Sequence, residues 1–297
     1  MAGGVLRKRK IKHNNLFKKR LNRSRGGTFM LFLLLGLVGA FMALPLIYTV
    51  NNAFKPLDEL FIFPPRIFVR RPTFNNFSDL FILMAGSWIP FSRYIMNTMI
   101  LTIVGVTGHV FIASMAAYPL AKLKIPYKNV LFSMVVLSLM FSAAVTSIPN
   151  YMIITALGIN NTYWAIIIPA FSSSLGLYLM KQFMEQIPDS ILESARIDGA
   201  SEYRIFFNVV MPNVKPAWFT LIILMFQFLW GTTGGIFLRS EELKPLSFAL
   251  NQIVLGGVAR AGVASAAGFI IMMVPITLFI FMQSSIIQTM ATSGLKD

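Results

Sequence analysis

Five stretches of this chain, residues 29–50, 94–121, 129–180, 217–238 and 261–295, contain no lysine, arginine, aspartate or glutamate. A hydrocarbon core about 30 Å thick takes about 20 helical residues at ~1.5 Å each, so each stretch is a candidate membrane span. The third, 52 residues long, is too long for one crossing. It is interrupted by Ser147-Ile148-Pro149-Asn150 and by Gly158-Ile159-Asn160-Asn161, both poor continuations of a helix, and therefore splits in two. Six spans are expected, near 29–50, 94–120, 129–148, 162–181, 217–238 and 267–288. The alternating pattern of a closed β-barrel, the other spanning solution, is missing. Composition agrees, with 56% apolar residues and only 12% charged. The expected fold class is an all-α membrane protein.

Charge gives an orientation. The net charge is +15, but ten of the 26 basic residues lie between Arg7 and Arg25. Lysine and arginine are retained on the cytoplasmic side, and an inside N-terminus puts 18 bases in inner segments and 8 in outer ones. The chain then divides into a basic cytoplasmic tail (1–28), a transmembrane domain (29–290) and a cytoplasmic tail (291–297) in the bacterial plasma membrane. The basic tail reads as an orientation signal touching the lipid bilayer. Nucleic acid is not an expected partner, because no aromatic interleaving supports it. A cleaved signal peptide is not expected either, since a 22-residue apolar run exceeds the 7–15 of such signals. Cysteine is absent, which excludes disulfides and thiolate chemistry, and two histidines are too few for an imidazole-based metal centre.

The connections are unequal. Residues 51–93 form a long outer segment rich in proline and phenylalanine, expected to be a partly ordered cap. Asn160-Asn161-Thr162 can cap the fourth span through a side-chain oxygen. Between Lys181 and Lys215 the inner side receives a segment unlike any other inner loop, with five acids and four bases. Within it, Ser190-Ile191-Leu192-Glu193 has the pattern of a capping box, so a helix is expected to start near Ile191. It should end at Gly199, where glycine takes the left-handed conformation at no steric cost. A second short helix is expected from about Ser201 to Val210, ended by Pro212. Tyr203, Phe206, Phe207 and Val210 fall at helical spacing, and Ile191, Leu192 and Ala195 form a smaller stripe. Two such helices beside a membrane need a cover for their apolar faces. Either they fold against their own membrane helices and the lipid interface, or they dock a separate protein.

The run Ile187-Pro188-Asp189-Ser190-Ile191-Leu192-Glu193-Ser194-Ala195-Arg196-Ile197-Asp198-Gly199-Ala200-Ser201, followed by Val209-Val210-Met211-Pro212, resembles the EAA loop of binding-protein-dependent ABC importer permeases. Glu193, Ala195, Gly199 and Pro212 match in kind and spacing. Ser194 stands for alanine, Val209 for isoleucine and Met211 for leucine. Asn97-Thr98, Ala117-Tyr118-Pro119-Leu120-Ala121 and Leu157-Gly158-Ile159-Asn160-Asn161-Thr162-Tyr163, with Pro169, are similar to the carbohydrate-uptake branch, including its second maltose permease subunit. Phe54-Lys55-Pro56-Leu57-Asp58-Glu59 and the tail from Thr289 to Lys296 are similar to its complex-oligosaccharide and aldouronate subgroup.

The resemblance implies a type I ABC importer permease fold, with the coupling loop at 187–213. It implies a homologous second permease subunit, two ATP-binding subunits below and an extracellular solute-binding lipoprotein that delivers an oligosaccharide. Glu193, Ser194, Ala195, Asp198, Gly199, Ala200 and Pro212 would face the ATPase, with Ile191, Leu192, Tyr203, Phe206 and Phe207 packing the loop. Closure of the ATPase dimer on ATP would move this loop as a lever and drive alternating access. No cofactor is expected on this chain, ATP and Mg being used by the partner ATPase subunits.

The chain is expected to be non-catalytic, because it has no phosphate-binding Gly-x-x-x-x-Gly-Lys-Ser/Thr loop and no carboxylates at metal-ligand spacing. Glu241-Glu242 reads as a solvated outer turn. His109, the one ionisable group inside the second span, reads as a neutral imidazole bonded to a neighbouring helix, a proton relay being the alternative. Gly105, Gly108, Ala113, Ala116 and Ala117 allow close helix contact. Sugar sites favour aromatic platforms and amides, which makes Tyr163, Trp164, Tyr178, Gln227 and Trp230 candidates for the substrate path. Two rival classes are an ion-driven secondary transporter, which wants intramembrane carboxylates absent here, and a membrane receptor or scaffold with a docking loop.

Overall fold

The computed structural model describes residues 25–86, 88–257 and 260–293, and every regular element among them is helical. Most of the basic N-terminal tail and residues 294–297 of the C-terminal tail lie outside the described residues. In chain order the helices are α1 (Arg25–Ala53), α2 (Leu57–Leu60), α3 (Asn75–Ala85), α4 (Phe91–Lys122), α5 (Lys128–Ser138), α6 (Ala143–Ala156), α7 (Trp164–Phe171), α8 (Ser174–Glu185), α9 (Asp189–Ile197), α10 (Glu202–Ile205), α11 (Met211–Asn213), α12 (Lys215–Trp230), α13 (Leu246–Val254) and α14 (Ala261–Ser293). A π-helical turn, Phe206–Val210, joins α10 to α11, and a 3₁₀ turn, Glu241–Leu243, follows α12.

Two compact units divide within α1, residues 1–47 and 48–297. The described part of the first is helix alone, and its phenylalanine and methionine side chains and every leucine but Leu31 are exposed. A helix apolar all round suits a hydrocarbon surround. The second unit is organised on α4, whose small residues let its neighbours approach. A Cβ on Gly105 would lie 2.4 Å from Leu229 of α12, one on Gly108 2.2 Å from Phe171 of α7, and one on Gly176 of α8 2.2 Å from His109 Nε2. Overpacking such a contact costs about 1–3 kcal/mol. Gly176→Ala is therefore expected to lower the thermal unfolding midpoint in detergent, and Gly36→Ala, inside α1 where a Cβ meets nothing within 4 Å, is expected not to lower it, since alanine favours helix over glycine by about 1 kcal/mol.

Among the described residues, four helical segments are long and apolar enough to cross a membrane: 26–53, 91–122, 164–185, which joins α7 and α8 across a break at Ser172–Ser173, and 261–283. Two bent pairs, α5 with α6 (108°) and 202–213 with α12 (76°), bring the total to six if each counts as one span. This departs from the sequence expectation in several places. The third span is not a single helix over 129–148, because three successive i→i+3 bonds, at Leu139, Met140 and Phe141, turn the chain before α6 begins. α6 then runs through Pro149, since one missing amide does not stop a helix whose other bonds hold. The helix of the fifth span stops at Trp230 and not at 238, as Gly231-Thr232-Thr233-Gly234-Gly235 is a run of poor helix formers with φ of +78° at Gly234 and +46° at Gly235. α13 has no counterpart among the expected elements.

The outer segment is ordered by buried polar clasps. Lys55 Nζ donates to Asn52 Oδ1 (2.8 Å) and to the Arg66 carbonyl, while Asn76 Nδ2 donates to the carbonyls of Ala53 (2.9 Å) and Lys55 (2.7 Å). The Glu59 carboxylate accepts from the Arg70 and Arg71 amides at 2.8 and 3.4 Å. Asn52, Lys55, Glu59 and Asn76 are buried and satisfied, which closes the loop as a folded cap.

Candidate functional site

α9 and the α10–α11 segment form a bent hairpin at the end of α4 that carries Lys122. α9 begins at Asp189, after Pro188, with no side-chain cap. The expected Ser190–Glu193 box is not formed; Ser190 lies inside the first turn, where its amide is already among the helix's leading donors. At the other end the expected glycine stop is present. Gly199 has φ +77°, its amide donates to the Arg196 carbonyl (3.0 Å) and the Ala200 amide to the Ala195 carbonyl (3.0 Å), the two bonds of a Schellman motif. Ser201 caps α10 by accepting from the Arg204 amide. The second helix is not ended by Pro212: a π turn widens it at 206–210 and helix continues to Asn213.

The inward face of the hairpin joins a core with α4, α8 and α12. Leu192, Ile205, Phe206 and Val210 are buried against Met180, Met184, Ala117 and Tyr118. Ala195 and Ala200 lie partly buried at its edge. The π turn rotates the register, so the expected stripe is split: Phe206 and Val210 point inward, Tyr203 and Phe207 are exposed, and Ile205, which periodicity missed, is fully buried. Ile191 is exposed too. Glu193, Ser194, Asp198, Gly199 and Pro212 all face outward, together with Ile197 at 86% exposure.

Polar ties hold the hairpin at a set angle. Lys122 Nζ, its side chain only 5% exposed, donates to the Ile187 carbonyl (2.6 Å), the Glu185 carbonyl (3.3 Å) and Asp189 Oδ1 (2.7 Å). Glu202 accepts from Arg196 Nε (2.7 Å) across the glycine bend and from the Tyr118 hydroxyl of α4 (2.5 Å). Lys122 with Asp189 and Tyr118 with Glu202 lie 67 and 84 positions apart, which hides them from the sequence, whereas Arg196 and Glu202, six apart, meet because the glycine bend folds the chain back between them.

Arg196, followed by Tyr118, holds the Glu202 carboxyl below the usual carboxylate range, and Lys122 does the same for Asp189. A carboxyl depressed on folding stabilises the folded form at pH values above its unfolded value, about 4, and loses that contribution as pH falls through the folded value. Amide exchange over 189–213, corrected for intrinsic rates, is therefore expected to be flat from pH 8 to 5 and to rise below about 4. Glu202→Gln is expected to flatten that rise.

The substrate-path candidates do not gather at one point. The Tyr163 hydroxyl donates to Asn97 Oδ1 (2.6 Å), and Trp230 Nε1 donates to the Ile271 carbonyl (3.0 Å) while its ring stacks on Phe226. Tyr178 stacks on Phe132 of α5 at 5.9 Å. Trp164 and Gln227 are exposed. His109, buried inside α4, approaches the Phe171 carbonyl with Nδ1 at 3.4 Å. That carbonyl ends α7, where the chain breaks at Ser172–Ser173 before α8. Since a carbonyl only accepts, Nδ1 carries the proton in this contact.

At the opposite end of α4, Asn97 and Thr98 form a buried hub. Asn97 Nδ2 donates to the carbonyls of Glu242 (2.7 Å) and Lys244 (2.8 Å), and Thr98 Oγ1 accepts from the Leu246 amide (2.7 Å). Glu241, exposed as expected for a solvated turn, accepts from the Tyr94 hydroxyl (2.8 Å).

Comparison with known proteins places this geometry. Protein LplC of Bacillus subtilis (strain 168) is 31% identical over 230 residues, covering 75% of this chain and 74% of its own length. A permease protein of the same organism, the polygalacturonan/rhamnogalacturonan transport system protein YtcP, is 28% identical, covering 76% of this chain and 77% of its own. Among solved structures, a chain of a bacterial ABC transporter involved in the import of the acidic polysaccharide alginate superposes with a TM-score of 0.73 at 23% identity, covering 88% of this chain and 98% of its own. That likeness identifies the fold as that of an ABC importer permease. Residues 109–292, more than half of the chain, match the family described as binding-protein-dependent transport system inner membrane component, and the chain belongs to that family.

Proposed function

We propose that this chain is one of two permease halves of an ATP-driven importer that takes up an oligosaccharide handed over by an extracellular binding protein. The observation that carries the reading is the hairpin: its inner face is built into the membrane bundle through Leu192, Ile205 and Phe206, and its outer face leaves Ile197, Tyr203, Glu193 and Asp198 without cover. Apolar groups exposed beside charged ones on a rigid element are what a separate protein docks against. Glu193, Ser194, Asp198, Gly199 and Pro212 form the face toward an ATP-hydrolysing subunit, and Ala195 and Ala200 permit its backbone to approach. ATP and Mg²⁺ act in that subunit, on the cytoplasmic side, where both termini of this chain also lie. The second permease half covers the exposed α5–α6 side. The substrate class is supported by the relative named for polygalacturonan/rhamnogalacturonan transport.

Reconstitution tests it. The complete transporter in liposomes should take up sugar only with ATP and binding protein present, and Glu193→Lys should abolish uptake while leaving the chain folded. Uptake by this chain alone, driven by a proton gradient, would overturn the reading in favour of a secondary transporter.

A further inference from the structure

We propose that this chain itself contributes a sugar-contacting shelf, formed by Asn150 of α6 and by Thr232 and Thr233 after α12, and that the shelf receives an uncharged sugar ring. The inference rests on the oligosaccharide-importer reading and names the substrate contact within it.

Where α12 gives way to Gly231-Thr232-Thr233-Gly234-Gly235, an open cleft of about 360 Å³ lies between α6, α7 and this loop. Sixteen residues of α12 rise only about 24 Å, short of a bilayer core of about 30 Å. The apolar run continues to Leu238, so irregular backbone completes the crossing. Within a membrane such backbone is tolerated only where protein buries it or where it lines a water-filled cavity. This loop lines a cavity. A lipid-facing surface at this depth would not carry an asparagine amide and two threonine hydroxyls.

The shelf is rigid. Asn161, with φ +60°, accepts with Oδ1 from the Arg239 (2.9 Å) and Ser240 (2.8 Å) amides, and its own amide donates to the Phe237 carbonyl (2.8 Å). Among the described residues, no hydrogen bond engages the Asn150 carboxamide or the Thr233 hydroxyl, both of which face the cleft. Phe228 and Phe237 supply ring faces beside them. Hydroxyl and amide donors and acceptors beside aromatic surface match a sugar's hydroxyl edge and its C–H face. Among the described residues, no charged one lines the cleft; Arg239, nearby, donates to the Tyr151 hydroxyl (2.9 Å). A uronate carboxylate would have no cation to pair with there.

A second cleft of about 340 Å³, reaching His109 and Ser173, shares Pro169, Ala170 and Phe228 with the first. The two form one track along α7 and α12, from the polar shelf toward the break at Ser172–Ser173. That is the geometry of a path and not of a closed pocket.

The test uses the complete transporter in liposomes, with radiolabelled galactotriose and arabinotriose as neutral probes and trigalacturonate as the acidic one. The galactotriose is the α-1,4-linked one, so that it differs from trigalacturonate only at C6, a hydroxymethyl group against a carboxylate. Uptake of a neutral probe is expected, and the Asn150→Leu/Thr233→Val pair should lower it about tenfold, the loss of two hydrogen bonds worth roughly 0.5–1.5 kcal/mol each. Thr233→Ser with Asn150 intact should retain uptake, and binding-protein-stimulated ATP hydrolysis should be unchanged in all variants. Wild-type uptake with an unaffected double variant overturns the shelf and leaves the importer reading standing. So does exclusive uptake of trigalacturonate. If the double variant fails to co-purify with the second permease subunit, the surface is a subunit interface and the shelf is likewise overturned. No uptake of any of the three probes by the wild type overturns the oligosaccharide reading itself, and the shelf with it.

Discussion

Gly199→Val is expected to cut ATP-driven uptake by the assembled transporter at least tenfold while the membrane helices stay folded. Gly199 sits at φ +77° with nothing within 4 Å of an added Cβ, so the cost is conformational and not steric crowding by neighbours. An L-residue in that region gives up roughly 1–2 kcal/mol, and a β-branched one more. The substitution also strains the paired Ala195 and Arg196 carbonyl bonds that end α9. Relief comes from straightening the bend, which moves Ile197 and Asp198 away from the angle set by the Arg196–Glu202 pair. About 1.4 kcal/mol is already a tenfold shift in the docked population. Uptake and binding-protein-stimulated ATP hydrolysis are the measurements, with far-UV dichroism as the fold control. Unchanged uptake would show that the bend does not transmit force.

The second large effect is expected at Leu192, 1% exposed and packed in the core shared with Met184, Ile187 and Ile205. Leu192→Ala removes buried methyls and leaves a cavity, at a cost of about 2–5 kcal/mol. α9 is nine residues long, too short to persist on its own propensity, so the loss falls on its attachment to the bundle. Amide exchange over 189–213 should accelerate by at least an order of magnitude, with uptake falling in parallel. Ile197→Ala, at an 86% exposed position, is the contrast: stability within about 0.5 kcal/mol of wild type, but weaker association with the ATP-hydrolysing subunit. A destabilised Ile197 variant, or a Leu192 variant with native exchange rates, would reverse the assignment of inner and outer faces.

Apolar runs too long for anything but membrane helices, the glycine stop at 199 and the spacing around the hairpin are local properties, and the amino-acid order determines them by itself. A charge-free run reports its own transfer free energy, and a glycine at a helix end reports its own dihedral freedom; neither needs a partner. The turn at 139–142, made without glycine or proline, the passage of α6 through Pro149 and the π turn that turns Phe207 outward were decided by the tertiary structure, because each depends on which neighbouring helix a side chain meets. The same holds for Lys122 on the Glu185 and Ile187 carbonyls, Asn97 beneath the 242–244 turn, and His109 on the carbonyl freed at Phe171. These are hydrogen bonds between residues about 60 to 150 positions apart. Periodicity within one element carries no information about such pairs; only packing the elements together brings donor and acceptor within reach.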